Sequence, residues 1–205
     1  AANALPGAAC ATAHPLATAA CMEILAEGGN AMDAAVAASA ALAVVEPTGS
    51  GMGGGGLWLV HRASDERDVF IDGREVAPRL STATMYQDEN GQAIAEKSRD
   101  GALAAAIPGQ PAALEHLAKK YGSRPLAQLL APAMRAARDG FGVDEKLAAA
   151  IQQHWPRLSP EAQRIFSREG APLKVGEVLV QGAVPATSRV VVVADAREQH
   201  GDAAA

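Results

Sequence analysis

The chain has 205 residues, 49% of them hydrophobic but only 3% aromatic, and a formal net charge of -5. That acidic balance, with no basic stripe, excludes the footprint of a nucleic-acid-binding protein. The longest apolar run, 31–45, is interrupted by Asp33 and is too short to span a bilayer.

Residues 8–13 read as a short strand that enters a helix at His14-Pro15, where proline suits a first turn because its missing N–H would be unsatisfied anyway. Leu16, Ala19, Ala20, Met22, Ile24 and Leu25 recur at helical spacing over 16–26, and Gly28-Gly29 stops the pattern. Asn30 is a suitable cap for a second helix over 31–45, with Asp33 in the first turn where the helix dipole favours an anion. That helix is apolar nearly all round and should be buried; Glu46-Pro47 ends it.

Next comes the run Gly49-Ser50-Gly51-Met52-Gly53-Gly54-Gly55-Gly56. Two strand-like stretches follow, 57–61 and 68–72, joined through Ser64-Asp65-Glu66, and they form the clearest hairpin in the chain. Residues 81–101 are polar and loop-like, with a turn at Asn90-Gly91. Ile107-Pro108-Gly109 introduces three helical stretches, 111–121, 125–138 and 144–153. Residues 158–181 are turn-rich, with Lys174-Val175-Gly176 before a short strand over 178–180. From Gly182 the sequence changes character: 190–193 is a valine run, and the rest is a charged, alanine-ended tail expected to be partly disordered. The division is therefore a region 1–181 and an off-pattern tail 182–205.

Chemistry is sparse. The glycine run contains G-x-G-x-x-G as Gly49, Gly51 and Gly54, but a helix precedes it and a strand follows, the reverse of a dinucleotide fold. Its glycines therefore serve close backbone packing or contact with a ligand. Thr48 and Ser50 carry hydroxyls without a base placed by sequence, so neither reads as a nucleophile. His14, His61, His116, His154 and His200 lack metal-ligand spacing with one another or with Cys or acids, so neither a metal nor another cofactor is expected. Cys10 and Cys21 either pair or stay free. Two cysteines make no disulfide framework, and we read them as unpaired, buried thiols serving as small apolar residues. Arg74, in Asp72-Gly73-Arg74-Glu75-Val76-Ala77-Pro78, ends a strand where a planar fork of donors suits a carboxylate. Its plain alternative is a solvated ion pair with Glu75.

Seven runs carry a resemblance. They are Ala13-His14-Pro15-Leu16-Ala17, Ile24-Leu25-Ala26-Glu27-Gly28-Gly29-Asn30-Ala31-Met32-Asp33-Ala34-Ala35, Val45-Glu46-Pro47, Gly51-Met52-Gly53-Gly54-Gly55, Arg74-Glu75-Val76-Ala77-Pro78, Ile107-Pro108-Gly109 and Leu130-Ala131-Pro132-Ala133. In that order, over roughly 8–181, the chain resembles the N-terminal part of the large subunit of the γ-glutamyltransferase (glutathione hydrolase) family.

The resemblance implies an α/β (α+β) fold, part of the four-layer αββα sandwich of an N-terminal nucleophile hydrolase and incomplete in this chain. It implies a precursor that cleaves itself, freeing an N-terminal threonine on a small subunit that this chain lacks. No catalytic residue is then expected here, and Arg74 matches the family arginine that grips the α-carboxylate of the γ-glutamyl group. The substrate implied is glutathione or a related γ-glutamyl compound, and the location periplasmic or secreted, although no signal peptide is read in the chain. Two other readings stay open: a non-catalytic γ-glutamyl-binding protein, and part of a related acylase.

Overall fold

The computed structural model describes residues 7–182. In chain order the elements begin α1 (Pro15–Ala26), α2 (Ala31–Val45), β1 (Gly56–Arg62), β2 (Arg67–Gly73), α3 (Gln110–Tyr121) and α4 (Leu126–Asp139). They continue β3 (Phe141–Gly142), α5 (Glu145–His154), α6 (Pro160–Ile165), β4 (Ser167–Arg168), β5 (Ala171–Pro172) and β6 (Val178–Leu179). The strands form three two-stranded antiparallel sheets, β1–β2, β3–β6 and β4–β5. Contacts divide the chain into two units, one of residues 1–52 with 111–205 and one of residues 53–110.

The first unit is helical, with α2 packed between α1 and α4. Its core draws alanines from α1 and α2 (Ala17, Ala37, Ala40) and larger side chains from α3 and α4 (Leu114, Leu117, Leu129, Leu130). Small side chains let helix backbones approach closely, and Phe141 is the one aromatic side chain buried among the described residues. The start of α2 holds the tightest polar cluster. Asn30 Oδ1 accepts from the Met32 and Asp33 amides at 2.9 Å, and Asp33 Oδ2 accepts from the Asn30 amide at 2.9 Å, a reciprocal cap. Asp33 is fully buried and does more than complement a helix dipole. It also accepts from the Ser123 amide (2.9 Å), the Ser123 hydroxyl (2.6 Å) and the Arg124 amide (3.3 Å). Asn30 Nδ2 donates to the Tyr121 carbonyl at 2.8 Å. The Gly-Gly-Asn-Ala-Met-Asp run is thus a joint between α2 and the turn from α3 to α4.

The other end of α2 is fastened similarly. Lys146 Nζ donates to both Glu46 oxygens at 2.8 Å, with the glutamate side chain 8% exposed. Gln181 Nε2 donates to the Val44 carbonyl at 2.7 Å. The expected helices over 16–26, 31–45, 111–121, 125–138 and 144–153 all form, within a residue or two of their expected ends. The strand expected over 178–180 is present as β6, paired with β3.

Two expectations fail in this unit. Residues 8–13 form no strand; a strand exists through its neighbour, and among the described residues no segment pairs with this one. Cys10 and Cys21 are joined in a disulfide, with Cα atoms 6.4 Å apart. The thiols are therefore not free. Sequence spacing says nothing about distance in space, and here α1 turns Cys21 back toward the segment that carries Cys10. The bond joins cysteines separated by 11 positions in sequence, so reduction is expected to lower unfolding stability by about 2–3 kcal/mol. Urea denaturation with and without reductant measures it; coincident curves would contradict the link.

The second unit is built on the expected hairpin. β1 and β2 pair in register from Gly56–Gly73 to Arg62–Arg67. The alternating pattern turns Val60 inward, while Leu59 and Phe70, opposite each other, stand 76% and 62% exposed. In the turn, Arg62 Nε donates to Asp65 Oδ1 at 2.7 Å, and this bond holds the Asp65 carboxyl below the usual carboxylate range. The polar loop expected over 81–101 folds on Asp88, whose Oδ1 accepts from the Asn90 and Gln92 amides (2.9 and 2.8 Å), with Gly91 at φ +77°. The tail from 183 onward, with its valine run, lies outside the described residues.

Candidate functional site

Arg74 follows directly on β2, and the backbone around it is held on several sides. The Arg74 amide donates to Asp72 Oδ1 at 3.0 Å. Two residues on, Val76 and Ile107 form an antiparallel bridge, with N–H···O distances of 3.2 and 2.9 Å. The Gly54 carbonyl accepts from the Gly109 and Gln110 amides, both at 3.0 Å. The glycine run and the Ile107-Pro108-Gly109 run therefore meet each other, and both close on the Gly73–Arg74 peptide.

The side chain is less constrained than the backbone. Arg74 Nη2 donates to Glu75 Oε1 at 3.0 Å, and the arginine side chain is 59% exposed against 29% for the glutamate. Glu75 Oε2 is buried with no hydrogen-bond partner. One edge of the guanidinium is thus occupied, and the rest of the fork stands open. An exposed pair of this kind contributes little to stability. Its arrangement instead leaves guanidinium donors accessible on a held backbone, which suits a carboxylate ligand.

The other candidates are placed plainly. Thr48 and Ser50 lie in the turn after α2, and the Ser50 amide donates to the Glu46 carbonyl at 2.8 Å. His14 caps α1, its Nδ1 accepting from the Leu16 amide at 3.1 Å. His61 pairs across the hairpin with Asp68 at 2.8 Å, and His116 lies edge-on to Tyr121. Among the described residues no group of three or more His, Cys, Asp or Glu is placed to hold a metal ion, and no helix is long and apolar enough to cross a membrane.

A broad groove of about 940 Å³ opens in the first unit, between the segment carrying Cys10 and the helices α1 and α2. Ala8, Leu25, Ala34 and Ala38 line it, and none of the described residues that line it is charged. That groove therefore offers an anion no cation among the described residues that line it. Sequence reasoning singled out Arg74 as a candidate and missed what surrounds it: the hidden oxygen of Glu75 and the approach of Gly109. The Ile-Pro-Gly run was the one available signal for the latter.

The mixed α/β architecture is that of the N-terminal nucleophile hydrolases. The structure superposes on a crystal structure of γ-glutamyltranspeptidase from Helicobacter pylori with a TM-score of 0.87 and 34% identity, covering 91% of this chain and 54% of that one. The sequence profile described as Gamma-glutamyltranspeptidase matches residues 17–195, and the chain belongs to that family. It is 41% identical over 184 residues to the glutathione hydrolase proenzyme of Bacillus subtilis strain 168, covering 88% of this chain. Identity to the Escherichia coli K12 glutathione hydrolase proenzyme is also 41%, over 163 residues and 78% of this chain. The chain spans 31% and 28% of the lengths of those two relatives.

Proposed function

We propose that this chain forms the carboxylate-gripping part of an enzyme that transfers or hydrolyses γ-glutamyl groups, acting on glutathione and related γ-glutamyl compounds. The observation that carries this reading is Arg74: an open guanidinium on a fixed backbone, inside the Arg-Glu-x-Ala-Pro run that matches the family. A γ-linked glutamate has a free α-carboxylate where an ordinary peptide has an amide. A cationic fork distinguishes the two because only the carboxylate accepts two parallel charge-assisted hydrogen bonds.

The bond-breaking machinery belongs to the rest of the family's length. There a threonine, freed at the N-terminus of a small subunit when the precursor cleaves itself, attacks the γ-carbonyl, and its own amine takes the hydroxyl proton. The leaving amine departs protonated and a γ-glutamyl ester remains. Water hydrolyses that ester, or the amine of an amino acid or dipeptide accepts the acyl group. The place of action is the periplasm or the cell exterior; the Cys10–Cys21 disulfide supports an oxidising compartment.

The test uses a chimera in which residues 7–182 replace the equivalent stretch of the Bacillus subtilis glutathione hydrolase proenzyme. The chimera is expected to cleave itself and release the chromophore of a γ-glutamyl anilide, while the purified 205-residue chain is expected to release none. A chimera that matures into two subunits yet shows no turnover would contradict the proposal, as would turnover by the chain alone.

A further inference from the structure

We infer that Gly55 and Gly109 are positioning residues for Arg74, setting the direction of its guanidinium by how closely their backbones press on the Gly73–Glu75 segment. This rests on the substrate-binding reading of Arg74 and extends it to two glycines from separate parts of the sequence.

The geometry is specific. A Cβ at Gly55 would lie 2.5 Å from the Gly73 carbonyl oxygen and 2.6 Å from both Arg74 Cα and the Glu75 amide nitrogen. A Cβ at Gly109 would lie 2.5 Å from the Arg74 carbonyl oxygen and 2.8 Å from the Gly73 carbonyl carbon, and closer still to the Gly73 oxygen. Every one of these atoms is backbone. No rotamer change relieves such a contact, so one of the two backbone segments has to move relative to the other. Neither glycine is among those with positive φ, so the requirement is for space and not for an unusual conformation.

Neighbouring glycines behave differently. A Cβ at Gly53 would meet nothing within 4 Å, and one at Gly56 would meet the Trp58 ring and the Gln110 side chain. Of Gly53, Gly55 and Gly56 it is therefore Gly55 that touches the arginine's backbone, and Gly53 is a built-in control. The segment is also stitched at both ends, by the Gly56–Gly73 pair and the Val76–Ile107 bridge. A displacement forced at Gly55 or Gly109 thus has little room to dissipate before it reaches Arg74 Cα, and a misplacement of about 1 Å in a binding group costs on the order of 10²-fold.

Two measurements test this. In the 205-residue chain, the Nε–H signal of Arg74 is identified in a ¹H–¹⁵N spectrum by its loss in Arg74→Lys. Gly55→Ala and Gly109→Ala are expected to shift or broaden that signal. Gly53→Ala should leave it in place, and amide-exchange protection across the β1–β2 ladder should stay unchanged in all three. In the chimera, Gly55→Ala is expected to raise KM for a γ-glutamyl anilide by roughly 10–100-fold with kcat nearly unchanged. An unmoved Arg74 signal in both variants would overturn the inference. So would a shift accompanied by loss of hairpin protection, because the glycines would then be holding the hairpin together and not aiming the arginine. If the chimera fails to mature, the spectrum decides alone. If Arg74→Ala in the chimera leaves KM unchanged while the spectrum behaves as expected, the substrate-binding reading fails and the positioning of Arg74 stands.

Discussion

Replacing Asp33 with alanine is expected to lower the unfolding free energy of the chain by about 3–5 kcal/mol, the range found when a buried charge network loses a member. The carboxylate is fully buried and accepts from three backbone amides and one hydroxyl, those of Asn30, Ser123 and Arg124. Hydrogen bonds to a charged group contribute about 1.5–3 kcal/mol each, and removing the acceptor strands its donors away from water. Asp33→Asn keeps the volume but turns an N–H₂ toward groups that are themselves donors, so it should recover only part of the loss. Ser123→Ala removes a single donor and should cost about 1 kcal/mol. Urea midpoints and slopes measure all three. A loss under about 1 kcal/mol for Asp33→Ala would mean that the joint between α2 and the α3–α4 turn is not what holds the helical unit together.

The second large effect concerns binding. In the chimera, Arg74→Ala is expected to raise KM for a γ-glutamyl anilide by the equivalent of about 2–5 kcal/mol, because a carboxylate brought to this place would then lack its charged partner. Arg74→Lys should recover little, since a point charge on a flexible stem does not reproduce a planar fork. The kcat should fall less than kcat/KM, as befits a group that holds the substrate without touching the reacting carbonyl. Steady-state kinetics on the matured protein measure this, and a near-normal KM in Arg74→Ala would refute the role.

The parts of the fold that local patterning governs were readable in advance. α2 begins at Ala31 after an Asn30 cap and ends at Val45, as the capping asparagine and the Glu46-Pro47 stop indicate. The hairpin sits where alternation and a polar turn put it. What escaped depends on partners far away in sequence. Asp33 looked like a first-turn anion, and nothing local reveals that Ser123, 90 residues on, completes its shell. The stretch 8–13 reads as a strand by composition, but pairing is a property of two segments, and no described segment pairs with this one. The Cys10–Cys21 bond depends on how α1 folds back, which the 11-residue spacing alone does not state. The motif around Arg74 was legible as a family motif, and the close approach of the glycines to its backbone was not. Gly55 and Gly109 matter because they meet over the same peptide, a fact of tertiary structure that composition cannot carry.

The most direct measurement compares two γ-glutamyl anilides in the chimera, one with a free α-carboxylate and one with that group converted to an amide. With Arg74 in place the free acid should be preferred by roughly 10²-fold or more in kcat/KM, because the amide leaves charged donors poorly paired. With Arg74→Ala the preference should shrink to a few-fold. Undiminished discrimination in the alanine variant would place carboxylate recognition on some other group and contradict the account.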